Sequence, residues 1–142
     1  MPKPPLPSEV QDLLARPNPC VITSVRGDGQ PVSVATWYLW DDGRVLVNMD
    51  RGRKRVEYLQ ADPRVSITVL AEDDWYTHVS MQGRVVEWQD DPDLAGIDRL
   101  SHHYTGRDYP TRDRARVNAW IQVDRWHGWG SALASDNPAN QS

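Results

Sequence analysis

Apolar positions along the chain change period several times, and each change marks an element. Val10, Leu13 and Leu14 fall on one face of a short helix. Ser8 precedes them as an N-cap, and Gln11 three residues on completes a capping box. Pro17 and Pro19 end that helix. From Cys20 the period drops to two. Cys20–Arg26 is rich in β-branched residues and predicts a strand. After the turn Gly27-Asp28-Gly29, Val32, Val34, Thr36 and Tyr38 alternate with Ser33, Ala35, Trp37 and Leu39, which predicts one strand from Pro31 to Trp40. Asp41-Asp42-Gly43 is a hairpin turn, and Arg44–Met49 makes the third strand of a meander.

A helical period returns over 51–60, with Val56 and Leu59 inward, and Asp62-Pro63 closes it. Arg64–Ala71 predicts a fourth strand and Trp75–Trp88 a long fifth one, with Gly83 a candidate bulge. Asp91 is placed as an N-cap with Pro92 at the first helical position. The helix 92–104 then carries Leu94, Ile97, Leu100 or Ser101, and Tyr104 inward. A Gly-, Asp- and Pro-rich loop over 105–113 leads to a last strand, Arg116–Arg125. The order is helix, three strands, helix, two strands, helix, strand. Sequential antiparallel strands with a few short helices predict a small, mainly β barrel of six strands. Residues 1–7 are expected to be a flexible Pro-rich segment, 8–133 the folded domain, and 134–142 a disordered polar tail.

Composition narrows the classes. The chain has 142 residues and a net charge of -4, so its overall field does not suit nucleic acid. A bound anion must be caught by a local cluster of cations. The single cysteine, Cys20, allows no intrachain disulfide and fits a reducing cytoplasm. Neither a signal peptide nor an apolar run of membrane-spanning length is expected. Seven Trp and five Tyr stand against no Phe. Either Trp replaces Phe in the core, or these rings serve interfaces and flat-ring pockets.

The stretch Met49-Asp50-Arg51-Gly52-Arg53-Lys54-Arg55 puts four cations into five positions, where a strand gives way to a helix. Cations in a first helical turn oppose the helix dipole. Their presence makes sense if a phosphate sits there, held by backbone N–H groups and Arg side chains together. A solvated basic face is the competing reading. The P-loop spacing is absent, as is a Gly-x-Ser-x-Gly elbow. His78, His102, His103 and His127 lack metal-ligand spacing, so no metal site is expected. A chain without a catalytic constellation of its own fits a protein whose cofactor supplies the reactivity.

The run Arg53-x-Arg55-x-x-Tyr58-Leu59-x-x-Asp62-Pro63-Arg64-Val65-Ser66 resembles the pyridoxamine-phosphate-oxidase-like split-barrel flavoproteins. So do Asp28-Gly29-x-Pro31, Trp40-Asp41-Asp42-Gly43, Gly83-Arg84-Val85 and Arg99-x-x-x-x-Tyr104-x-Gly106-x-x-Tyr109. Together they cover roughly residues 8–130. The branch that the chain is most similar to uses the deazaflavin coenzyme F420.

The resemblance implies an FMN-binding type of split barrel with the following roles. Arg53 and Arg55 would bind the cofactor phosphate, with Lys54 or Arg51 assisting. Asn48 and Met49 would lie along the ribityl chain, and Val34, Ala35 and Thr36 beside the ring. Trp75 would reach in from a second subunit of a homodimer. Trp37, Tyr104 and Trp129 would shape the substrate face, and Tyr104, Tyr109 or His127 could supply protons. Arg26, Arg51 and Lys54 could screen the acidic tail of F420. The basic C-terminal motif of true pyridoxamine phosphate oxidases is absent, which argues against vitamin B6 chemistry. The implied activity is hydride transfer between F420 and an unsaturated or oxidised small organic substrate. An FMN-dependent flavoprotein, a non-catalytic cofactor carrier and a Trp-exposing interaction module are the competing readings.

Overall fold

The structure, a computed structural model, describes residues 1–130. The tail expected over 134–142 lies outside the described residues. Helix α1 (Ser8–Leu14) buries Val10, Leu13 and Leu14 as its period requires. The expected capping box does not form. Pro7 holds the N-cap position, and its carbonyl receives the N–H groups of Val10 and Gln11. The helix thus starts one residue early, and the Gln11 amide turns back to the Leu6 carbonyl at 2.8 Å. Residues 1–7 lie against the fold: Leu6 is buried, and the Pro2 carbonyl accepts from the Trp126 N–H.

Seven strands follow: β1 (Cys20–Val25), β2 (Pro31–Thr36), β3 (Leu39–Asp41), β4 (Arg44–Asp50), β5 (Arg64–Ala71), β6 (Asp74–Asp90) and β7 (Arg116–Trp129). Helix α2 (Lys54–Ala61) lies between β4 and β5, and α3 (Ala95–Thr105) between β6 and β7. The strands form one antiparallel sheet in the order β2-β1-β5-β6-β7-β4-β3. Two expectations are corrected here. There are seven strands rather than six, and the first strands are not a meander. The chain leaves β2 at one edge of the sheet, crosses at Trp37-Tyr38, and enters β3 at the other edge. Alternation continues through the crossing, because Tyr38 is fully buried with its hydroxyl donating to the Leu14 carbonyl at 2.8 Å. A period of two reports which face is buried, not which strand is the partner.

Inward residues of β1, β4, β5, β6 and β7 share one buried cluster, among them Ile22, Val47, Ile67, Met81 and Ile121. The sheet is therefore curled around its core but stays open between the edges β2 and β3. This is a barrel with a split, and the crossing at Trp37-Tyr38 spans it. Gly83 marks a register shift against β7, as expected. A Cβ there would lie 2.0 Å from the Gln122 carbonyl oxygen.

Strand β4 is buried on both faces from Val45 to Met49. Val45, Val47 and Met49 face the barrel core, while Leu46 joins Leu39, Leu94, Ile97 and Leu100 beneath α3. Helix α3 begins three residues later than expected, after Leu94, which takes the left-handed φ of 62°. Asp91 still caps it from a distance, accepting from the N–H groups of Gly96 (2.9 Å) and Ile97 (3.0 Å).

Candidate functional site

A groove of about 600 Å³ opens at the split, over the C-terminal end of β4. That lies within the size range of small-molecule and cofactor sites, about 300–1,000 Å³. The chain supplies its walls from distant positions. β2 contributes Val34, Ala35 and Thr36, the crossing contributes Trp37, and β4 contributes Asn48, Met49 and Asp50. Arg53 and Arg55 come from the start of α2, Ile97, Leu100 and Tyr104 from α3, and Tyr109 and Arg116 from beyond it.

The local fold explains the cationic end. Asp50 closes the turn after β4, accepting from the Gly52 N–H at 2.8 Å on its carboxylate and from the Arg53 N–H at 3.0 Å on its carbonyl. The Gly52 N–H first, then Arg114 at 3.2 Å, hold the Asp50 carboxyl below its ordinary range. The helix expected over 51–60 therefore starts only at Lys54, with Arg53 as its N-cap residue. Arg55, one turn-position in, donates from Nε to the Met49 sulfur at 3.1 Å. Burial, and secondarily the Arg53 charge, lowers the Arg55 guanidinium from its ordinary value. It remains a cation at neutral pH.

Arg26, Arg44, Arg51, Arg64, Arg84, Arg99, Arg112 and Arg114 each reach a carboxylate. Six arginines among the described residues have no such partner: Arg16, Arg107 and Arg125 are exposed, whereas Arg53, Arg55 and Arg116 line the groove. Arg55 and Arg116 are half-buried and Arg53 is exposed, and drawing cations partly out of water around one groove without an anion is unfavourable. The groove is thus electrostatically incomplete in a way that an anionic ligand would remedy.

Of the residues singled out from sequence, Val34, Ala35, Thr36, Asn48, Met49, Arg53, Arg55, Trp37 and Tyr104 come together along this groove. Others do not. Arg51 pairs with Asp90 and Lys54 with Glu57, both on the exposed surface. Trp75 stacks on Tyr76 at 4.2 Å near the start of β6, 64% exposed. Trp129 sits at the end of β7 outside the groove. Tyr104 donates its hydroxyl proton to the Asn18 carbonyl at 2.7 Å, and burial raises its pKa, so its proton is committed to structure. His127 is also outside the groove. Burial, then His78, lowers its pKa.

Sequence reasoning missed Arg116. No local signal marks it, since it reads as one polar position in an alternating strand. Its position in the site comes from the pairing of β7 with β4, which sets Arg116 opposite Asp50 and Asn118 opposite Asn48. Among the described residues no group of three His, Cys, Asp or Glu could hold a metal ion. No helix of the described residues is long and apolar enough to cross a membrane.

Three solved structures place this fold among known proteins. An F420 reductase is 26% identical with a TM-score of 0.79, over 85% of this chain and 98% of its own. A conserved hypothetical protein of Mycobacterium tuberculosis is 23% identical with a TM-score of 0.71, over 89% of this chain and 86% of its own. General stress protein 26 of Bacillus anthracis is 17% identical with a TM-score of 0.66, over 85% of this chain and 91% of its own. The latter two speak to the fold alone. No curated protein matches the chain. The sequence model of the pyridoxamine 5'-phosphate oxidase family matches residues 6–130, every strand and helix that builds the groove included. The chain therefore belongs to the pyridoxamine 5'-phosphate oxidase-like split-barrel family.

Proposed function

We propose that this protein is an oxidoreductase that holds the deazaflavin F420 in the groove and exchanges a hydride between it and an unsaturated or oxidised small organic molecule. The observation that carries the reading is the pair Arg53 and Arg55, cations at a helix start with no carboxylate partner among the described residues. The likeness to an F420 reductase supports the same coenzyme.

The residues present fit such a group. Arg53 and Arg55 would hold the phosphate, and Met49 and Asn48 would flank the chain that follows it. The edge strand β2, paired only with β1, offers at alternate residues along Val34, Ala35 and Thr36 backbone groups that no neighbouring strand takes up, for the polar rim of a ring. When bound, the coenzyme supplies the hydride chemistry. The protein's part is to fix both reactants at near-contact distance and keep water out, for which Trp37, Ile97 and Leu100 provide an apolar wall. FMN is the second reading, and one observation favours it. The cations expected to screen the acidic tail of F420 are already paired: Arg26 with Asp28, Arg51 with Asp90 and Lys54 with Glu57.

The same reading includes a homodimer. Val21, Thr23, Ser33, Ala35, Ser66 and Thr68 make an uncharged outer sheet face that no helix covers, knit by a Thr23–Ser33 hydroxyl contact at 2.7 Å. A face of small uncharged side chains is complementary to a second copy of itself about a two-fold axis. Exposed Trp75 would then be available to a partner's groove.

The test is purification from a host that makes FMN but no deazaflavin. A colourless protein that binds added F420 supports the reading, whereas a yellow protein with flavin absorption supports FMN. Replacing Arg53 and Arg55 together with Ala should weaken binding of the coenzyme by about 2–4 kcal/mol, discounted for the exposure of Arg53. Unchanged affinity in a fluorescence titration removes the site assignment.

A further inference from the structure

Among the groove-lining guanidinium groups without a carboxylate salt bridge, Arg116 is set apart from Arg53 and Arg55. Along β4, side chains alternate between faces. Met49 faces the barrel core, with Arg55 on its sulfur. Asn48 points the other way, toward Asp91 and the start of α3. Arg116 belongs to that second face. Its Nε donates to the side-chain Oδ1 of Asn48 at 2.7 Å, and its guanidinium lies 4.8 Å over the Tyr109 ring. Electrostatically Arg55 couples to Arg53 and Cys20, and Arg116 to Asp50. The groove therefore has two cationic poles on opposite sides of one strand.

The second pole is rigid and flanked by aromatic rings. Asn48 is fixed by Asp91 at 3.0 Å and by Asn118 at 2.7 Å, so the oxygen that orients Arg116 does not move freely. Tyr109 meets Trp37 edge-on at 6.1 Å, and Trp37 stacks on Tyr104 at 5.4 Å. The outer nitrogens of Arg116 make no hydrogen bond among the described residues, and Asp50 acts on them only through its charge. A guanidinium anchored through Nε and free at its other nitrogens matches a carboxylate, and the adjoining rings match a flat conjugated body.

We infer that Arg116 is the specificity-determining residue for the second reactant, and that this reactant is a planar conjugated acid. Its carboxylate pairs with Arg116, and its ring system lies against Trp37 and Tyr109. This inference rests on the proposed assignment of Arg53 and Arg55 to the coenzyme phosphate.

The test uses the full chain saturated with F420 and two probes of equal shape, 2-naphthoate and 2-naphthamide, by calorimetric titration. The wild type should bind the acid about tenfold or more tightly than the amide, as one charge-assisted pair provides. Arg116→Gln should bring that ratio to about one, with amide and F420 affinities unchanged within about twofold. Arg116→Lys should keep part of the preference, since charge survives and the fork does not, which separates lost recognition from a damaged fold. An acid preference that persists in Arg116→Gln overturns the inference. So does a wild type without preference, or an F420 affinity that falls in Arg116→Gln as it does on removing Arg53 and Arg55. If the wild type takes up no F420, the coenzyme reading fails by itself. The acid-to-amide ratio in the unloaded protein then still decides the role of Arg116.

Discussion

Cys20 illustrates how a residue at the edge of a ligand groove can stay chemically silent. It lines the groove yet is only 2% exposed, and burial pushes its thiol up to about 12 against the opposing pull of Arg55. The thiolate is the reactive form. Native protein at pH 8 should therefore leave a disulfide reagent such as Ellman's untouched, and urea should release one thiol. Rapid stoichiometric reaction of the folded protein would contradict this burial. The same shift fixes a sign. The folded state holds the thiol proton more tightly than the unfolded chain does, so the contribution is complete below the ordinary value of 9.0. It is lost as pH rises from there through about 12. Arg55 gains from this silence, because the neighbouring group stays neutral and leaves its charge for an anion.

At the scale of elements, β6 carries the most consequence. It pairs with β5 along one side and β7 along the other, and Gly83 lets it bend between them. The position has no room for a side chain, because backbone rather than a flexible tip lies 2.0 Å away at the Gln122 carbonyl. Gly83→Ala should destabilise the fold by about 3 kcal/mol, the upper range for overpacking. Urea unfolding followed by tryptophan fluorescence measures it, and a loss under about 1 kcal/mol would mean that β7 yields more easily than this geometry implies. The element pair β4 and α3 sets the site instead. Asp91 links them, holding both the helix N–H groups and Asn48.

For the whole molecule, the question is what covers the outer sheet face. Val21 and Thr68 are cross-strand partners at its centre. If two copies meet there, Thr68→Arg places like charges against each other on the axis and should convert a dimer into a monomer in sedimentation, with the circular dichroism spectrum unchanged. A wild type that sediments as a monomer at all concentrations, or a variant that stays dimeric, rules that face out. Coenzyme affinity in the monomeric variant reports whether the partner helps to close the groove, as exposed Trp75 suggests.

Local chemistry made much of this protein readable. Burial alternates along β5 as the apolar periodicity requires, so the expected span Arg64–Ala71 coincides with the observed one. The cations from Arg51 to Arg55 stand out in any acidic chain. Sequence could not say which of those four point into the groove, because that depends on where α2 begins, and Asp50 sets that start through a turn. It gave no sign of Arg116 or of the break at Trp37-Tyr38. Both depend on which strands lie side by side, and pairing is decided by contacts between residues about seventy positions apart, such as Asn48 and Asn118. A period of two carries the face of every strand and the partner of none. The faces were therefore set by the sequence alone, whereas the split, the groove and its second cationic pole exist only once the strands have paired and the open sheet has curled around its core.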